Sequence, residues 1–170
     1  MTGEVYRSVA LGGAGKLSAL AGEGTAGPIQ RVSLAWNGAQ ATYHVTRPAL
    51  SGDGRFVAFQ TDAPNLVPGE TNTYSDVFVR DLATGSIECA SAGYVDNADG
   101  GHLLLSNGAS TEASISADGR YVAFTSYATN LVSNDANAMR DIFVYDRHTR
   151  IRSLVSVTSA GVQANGGSYG

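Results

Sequence analysis

The chain is short of several things, and each shortage removes a class of protein. It has one cysteine, Cys89, so no internal disulfide can form. A lone thiol in a globular chain is most often a small buried apolar group. Four prolines stand against 21 glycines, a balance that favours many turns over disorder. Basic residues are outnumbered 11 to 15, leaving a net charge of −4 and an isoelectric point near 5.2. Nucleic acid needs a clustered Lys/Arg surface, so it is excluded as a partner. No apolar run is long enough to span a bilayer, so no membrane span is expected. Residues 1–15 lack a basic start followed by an apolar stretch, so no signal peptide is expected in this chain. What is present is 170 residues, 43% hydrophobic and 15% charged, enough for a sizeable core.

The most informative positive feature is a repeat. Ser51-Gly-Asp-Gly-Arg-Phe-Val-Ala-Phe59 returns as Ser116-Ala-Asp-Gly-Arg-Tyr-Val-Ala-Phe124, 65 positions later. At the same offset Asn65-Leu-Val67 returns as Asn130-Leu-Val132, and Asp76-Val-Phe-Val-Arg-Asp81 as Asp141-Ile-Phe-Val-Tyr-Asp146. A constant offset over this much sequence means one supersecondary unit used twice.

Within the first copy, Pro48 to Ser51 is a short apolar approach and Gly52-Asp53-Gly54 a turn with the positive φ that a hairpin needs. Phe56 to Phe59 is apolar on both faces of the pleat, with Phe56 and Ala58 on one side and Val57 and Phe59 on the other. Such a strand must be covered twice. A polar loop leads to a strand at Val77 to Val79, a Gly-closed turn at Asp81 to Gly85 and a more polar outer strand at Ser86 to Ala92. No part of the repeat has a helical apolar period. The expectation is an all-β fold of four-stranded antiparallel units, the blades of a β-propeller. Gly85 is matched by Arg150, so the second closing turn is expected to be strained or differently shaped. Between Ser91 and Ser116 there are seven more residues than between Ser33 and Ser51, spanning Gly93 to Gly101 and Leu103 to Leu105. They read as a longer loop over the blade edge, or as a flap that contacts a partner.

The pattern Ser-x-Asp-Gly-Arg-aromatic-Val-Ala-Phe, followed by Asp-Val/Ile-Phe-Val-x-Asp, resembles the WD-like repeats of TolB-type β-propellers. The resemblance runs from about Arg31 to the C-terminus. It implies a propeller fold and an exported, extracellular or periplasmic protein. Members of that group serve as binding platforms, assembly proteins and appendages of hydrolases, so it implies no single activity.

The phase of the repeat predicts an incomplete ring. Arg31-Val-Ser33-Leu34 with Ala39-Gln40-Ala41 is echoed by Leu154-Val-Ser156-Val157 with Val162-Gln163-Ala164. The chain thus divides into a Gly/Ala-rich arm or linker at 1–30 and propeller repeats at 31–170. Full blade repeats are expected at about 46–92 and 111–158, with a partial repeat at each end. Two blades would leave apolar faces around Phe59 and Phe124 uncovered. The remedies are a longer propeller, a ring completed by further copies of the chain, or a filament in which the same contact does not close. Val5 to Val9 can pair as a strand in the arm.

The best chemical candidates lie in the loop before the second strand. Asp135, Asn137 and Asp141 stand at positions one, three and seven of a turn, and Glu70, Asn72 and Asp76 repeat the arrangement. Calcium takes several oxygens from one compact loop; the commoner role of Asp and Asn side chains in turns, and the one favoured here, is to cap backbone N–H groups. The glycine and closing Glu of an EF-hand are missing. Gly166-Gly-Ser168-Tyr-Gly170 fits a nucleophile-elbow pattern without its downstream Asp and His, and reads as a connecting loop. Gly12-Gly-Ala-Gly-Lys16 lacks the spacing and hydroxyl of a phosphate loop. His44, His102 and His148 are not equivalent in the repeat, which disfavours a His/Cys metal cluster. Asp53 and Asp118 are turn formers on different blades rather than an acid–base pair. Trp36, Tyr43 and Tyr94 lie in connections, where they can stack on a sugar or a partner, or cover the core edge. The function expected is a non-catalytic, exported, self-associating propeller module that binds protein or carbohydrate. The alternatives are a structural filament subunit built by strand exchange, and a regulatory appendage of a hydrolase.

Overall fold

The computed structural model describes residues 9–10, 16–17, 29–95, 102–164 and 166–168, with side chains described for 29–92, 104–164 and 166–168. Its strands are β1 (Val9–Ala10), β2 (Lys16–Leu17), β3 (Gln30–Arg31), β4 (Val45–Leu50), β5 (Phe56–Thr61), β6 (Asp76–Asp81), β7 (Ile87–Cys89), β8 (Gly93–Val95), β9 (His102–Leu104), β10 (Ser110–Ile115), β11 (Tyr121–Ser126), β12 (Asp141–Asp146) and β13 (Ile151–Leu154). Two antiparallel sheets, β4-β5-β6-β7 and β10-β11-β12-β13, are the two blades. The chain is all-β, with propeller-type blades, as the repeat predicts.

The repeated motif folds the way it does because each residue has a partner. Ser51 Oγ donates to Asp53 Oδ1 (2.5 Å) and accepts from Phe56 N (2.9 Å), closing the β4–β5 turn. Asp53 Oδ1 also accepts from Arg55 N (3.0 Å), and Gly54 takes φ +69°. Arg55 then reaches across to grip Asp81 at the end of β6 with two bonds, 3.1 and 2.7 Å. Ser116, Asp118, Gly119, Arg120 and Asp146 repeat every contact in the second blade. The motif is a clip that ties the start of one strand to the end of the next. The paired guanidinium holds Asp81 and Asp146 well below the ordinary carboxylate range.

Period-two alternation sends each strand's side chains into two different cores. Val57, Phe59, Phe78 and Cys89 join Val32, Ala35, Leu66 and Val67 on one side. Phe56, Ala58, Val77 and Val79 meet Val122, Phe124, Phe143 and Tyr145 of the second blade on the other. Stacked pairs Phe59–Phe78 and Phe124–Phe143, with centroids 6.1 and 6.0 Å apart, sit at corresponding places. This corrects the expectation about which faces lie open. Phe59 is 0% and Phe124 1% exposed, because the segment around Val32 covers the first and the first blade covers the second.

The closing turns keep one shape in both blades. Gly85 N donates to Asp81 O (2.8 Å) and Arg150 N to Asp146 O (2.7 Å), with φ +75° and +60°. Of the two expected outcomes for Arg150, strain is the one realised. The extra residues between the blades form a hairpin, β8 with β9, rather than a plain loop. β1, β2 and β3 make a small sheet in which β1 pairs parallel with β3. Gly12 to Gly15 of the glycine motif and Tyr94's side chain lie outside the described residues, as does most of Val5 to Val9. No helix of the described residues is long and apolar enough to cross a membrane.

Candidate interaction site

The seam between the blades shows what one blade needs from the next. Its apolar part is the shared core just described; its polar part is specific. Arg152 donates to Ala90 O (2.9 Å) and Cys89 O (3.1 Å) while lying over the Tyr145 ring (4.4 Å). Burial lowers its pKa, and the outer-strand carbonyls stand in for lost water. Glu88 accepts from Tyr145 Oη (3.1 Å) and Arg147 Nε (2.5 Å). Burial first, then Glu88, pushes the Tyr145 phenol up to about 12. Arg147 also covers the Phe56 ring at 4.0 Å. On the inner strands, β4 and β10 carry bulges at corresponding places, with Arg47 at φ +49° and Glu112 at φ +59°. These two form an ion pair across the seam (3.5 Å).

The far face of the second blade carries the same kind of side chains without a cover. Tyr121, equivalent to Phe56, is 41% exposed where Phe56 is 8%. Ala123, Ile142 and Val144 are half-buried, whereas Ala58, Val77 and Val79 are fully buried. Val155 is 44% exposed, while its equivalents Val32 and Ala90 are at 0%. The second blade thus carries apolar area that its twin has under cover.

The six predicted metal residues fall in two corresponding turns, joined directly through Asn72 in the first and only through Gln163, without Asn137, in the second. Asp76 Oδ1 accepts from Ser91 Oγ (2.6 Å) and Ser106 Oγ (2.9 Å), and its Oδ2 from Asn72 Nδ2 (3.0 Å). Asn72 Oδ1 accepts from Tyr74 N (2.7 Å), and Glu70 Oε1 from Asn72 N (3.3 Å). In the second set Asp141 accepts from Ser156 Oγ (2.6 Å) and Gln163 Nε2 (3.0 Å). Asn137 Oδ1 accepts from Met139 N (2.8 Å) and its Nδ2 donates to Ala164 O (2.9 Å); Asp135 accepts from Gln163 Nε2 (2.7 Å). Both asparagines therefore turn their oxygen to the backbone, as caps do. One carboxylate oxygen in each set, Glu70 Oε2 and Asp135 Oδ2, is buried with no partner among the described residues. Burial, and the Asp76 carboxylate beside it, push Glu70 up to about 7. Among the described residues no group of three or more His, Cys, Asp or Glu is placed to hold a metal.

The remaining candidates separate. Asp53 and Asp118 are held in their own turns by Ser51 and Ser116, whose hydroxyls lower both carboxyls. Cys89 is buried beside Ser91 Oγ (3.6 Å), and burial raises its thiol. Ser168 N donates to Arg140 O (2.6 Å), tying that segment to the second blade. Trp36 and Tyr43 are each 61% exposed. Sequence reasoning missed the Arg152 and Glu88 contacts, since neither residue belongs to the repeated pattern. The signal was that very departure: Arg152 stands where the first copy has Ile87.

No family model and no curated protein sequence matches the chain significantly. Among solved structures it is similar to TolB from Acinetobacter baumannii, at 22% identity and a TM-score of 0.39, over 70% of this chain and 22% of that one. It is also similar to the tricorn protease, at 18% identity and a TM-score of 0.40, over 68% of this chain and 9% of that one. The chain thus spans about a fifth of the first and a tenth of the second.

Proposed function

We propose that the chain is an exported, non-catalytic β-propeller interaction module that self-associates through its uncovered blade face. The observation that carries this reading is the unequal burial of equivalent side chains, Val155 at 44% against Ala90 at 0%. A face built to meet another blade is left in water, and its burial supplies the drive for association. Light scattering across micromolar to submillimolar concentration tests the reading. A mass that rises above the monomer supports it; a constant monomeric mass ends it. If the contact between chains does not close, the same surface makes an extracellular filament, and electron microscopy distinguishes rings from fibres.

Calcium is a separate proposal for the two turn networks. Its support is that Glu70 Oε2 and Asp135 Oδ2, unpartnered and buried, fall at equivalent positions of the two repeats. A cation in each turn would answer its unpartnered oxygen. Thermal unfolding with EDTA and then with added calcium decides: a melting temperature that ignores both removes calcium. A protein or carbohydrate ligand rests on exposed Trp36 and Tyr43, whose rings can stack on a sugar face or a side chain.

A further inference from the structure

The connector between the blades defines a complete joint. Towards the preceding blade, Ser91 Oγ donates to Asp76 (2.6 Å) and accepts from Val77 N (2.9 Å). Towards the following blade, Asn107 N donates to Asn130 Oδ1 (3.1 Å), Asn130 Nδ2 to Leu105 O (2.8 Å) and Arg152 to Ala90 O (2.9 Å).

Two other segments each carry one half of this joint. The tail after β13 makes the first half: Ser156 Oγ donates to Asp141 (2.6 Å) and accepts from Ile142 N (3.2 Å). The segment before β4 makes the second half. Thr42 N donates to Asn65 Oδ1 (3.1 Å), Asn65 Nδ2 to Gln40 O (2.8 Å), and Arg80 to Val32 O (3.2 Å) and Leu34 O (2.6 Å). The two segments share one backbone form. Leu34 bridges Gln40 and Val157 bridges Gln163; Ala41 N bonds Ser33 O and Ala164 N bonds Ser156 O, both at 3.0 Å. Gly38 and Gly161 take φ +83° and +77° at the same point of each. The first is seated on a blade, with Val32 at 0% exposure, whereas Val155 of the second stands 44% exposed.

We infer that the second blade's open face docks on the first blade of a second copy, with residues 154–164 taking the place that 31–41 hold there. The inference rests on the self-association reading and says which surfaces meet. Arg80 and Asn65 of the receiving copy then grip the backbone of Val155 and Gln163 as they grip that of Val32 and Gln40. The exchange replaces one set of hydrogen bonds with an equivalent set, and covers Tyr121, Ile142 and Val144 in addition. Burial of that face is therefore the net driving term. The contact is heterologous, since each copy gives a tail and receives one.

The variant Val155→Glu places a charge on this exposed position without touching either core, and Tyr121→Lys does the same from β11. Each is expected to stay folded and to remain monomeric where the unaltered chain assembles. Mixed in equal amounts with the unaltered chain, Val155→Glu is expected to cap its assemblies, so that the mixture does not scatter as the sum of the two separate samples, because the variant accepts a tail and offers none. Assembly of both variants at the unaltered level overturns the proposed joint. So does a mixture that scatters as the sum of its two separate components, which marks a contact of tail with tail. An unaltered chain that stays monomeric throughout overturns the self-association reading itself, and the face is then covered by something other than a second copy.

Discussion

The strands β6 and β12 are near copies in sequence, Asp-Val-Phe-Val-Arg-Asp and Asp-Ile-Phe-Val-Tyr-Asp, yet their environments differ. Every residue of β6 is buried, whereas β12 alternates between buried and half-buried. An alternating pattern is what a strand shows when one face has a cover and the other does not. The same sequence thus reports its position in the assembly through burial alone. Stability in such a repeat belongs to the interfaces between units as much as to the units.

The largest test of this contrast is truncation at Phe56 and Tyr121. Phe56→Ala empties a filled seam and is expected to cost about 3–5 kcal/mol, while Tyr121→Ala is expected to cost about 1 kcal/mol or less. Urea unfolding of the two variants measures both, and equal losses would break the contrast. Next come the turn glycines. A Cβ on Gly119 would lie 2.0 Å from Phe56 Cδ2, whereas one on Gly54 meets nothing within 4 Å. Both residues have positive φ, so Gly54→Ala carries about 1 kcal/mol of backbone strain, and Gly119→Ala adds a clash worth about 1–3 kcal/mol.

A smaller effect concerns pH. Glu70 titrates near 7 in the fold against an ordinary 4.5. The unfolded chain therefore releases this proton first, and the associated stability is present below the ordinary value and lost as pH rises through about 7. Glu70→Gln is expected to remove that slope, leaving the variant more stable by about 1–2 kcal/mol at about pH 8 in urea titrations. A slope that survives the substitution points to another group. The smallest expected change is at the closing turn. Arg150→Gly relieves a positive φ of 60° and is expected to stabilise by about 0.5–1 kcal/mol, with no gain at Gly85, which already has that freedom.

Most of the blade was legible because its motif is local. Ser51, Asp53, Gly54 and Arg55 act within one hairpin and its neighbouring strand, so spacing alone specifies them. The choice of open face was not legible. Alternation separates Phe59 from Phe56 but cannot say which side receives the segment around Val32, a contact between residues far apart in sequence. The turn networks were half legible: the spacing of Glu70, Asn72 and Asp76 brings them together, while the orientation of the Asn72 amide depends on Tyr74 N and Asp76. The β8–β9 hairpin was hidden because its glycines read equally well as loop.

Glu88 also gives the molecule a sense of direction. Its carboxylate receives Tyr145 and Arg147 at the seam, and the corresponding residue on the second blade is Ser153. A second blade laid on another second blade would set its Arg147 opposite a hydroxyl, losing the carboxylate that the guanidinium now has. The first seam is thereby addressed to one neighbour, and a chain of repeats so marked has a front and a back.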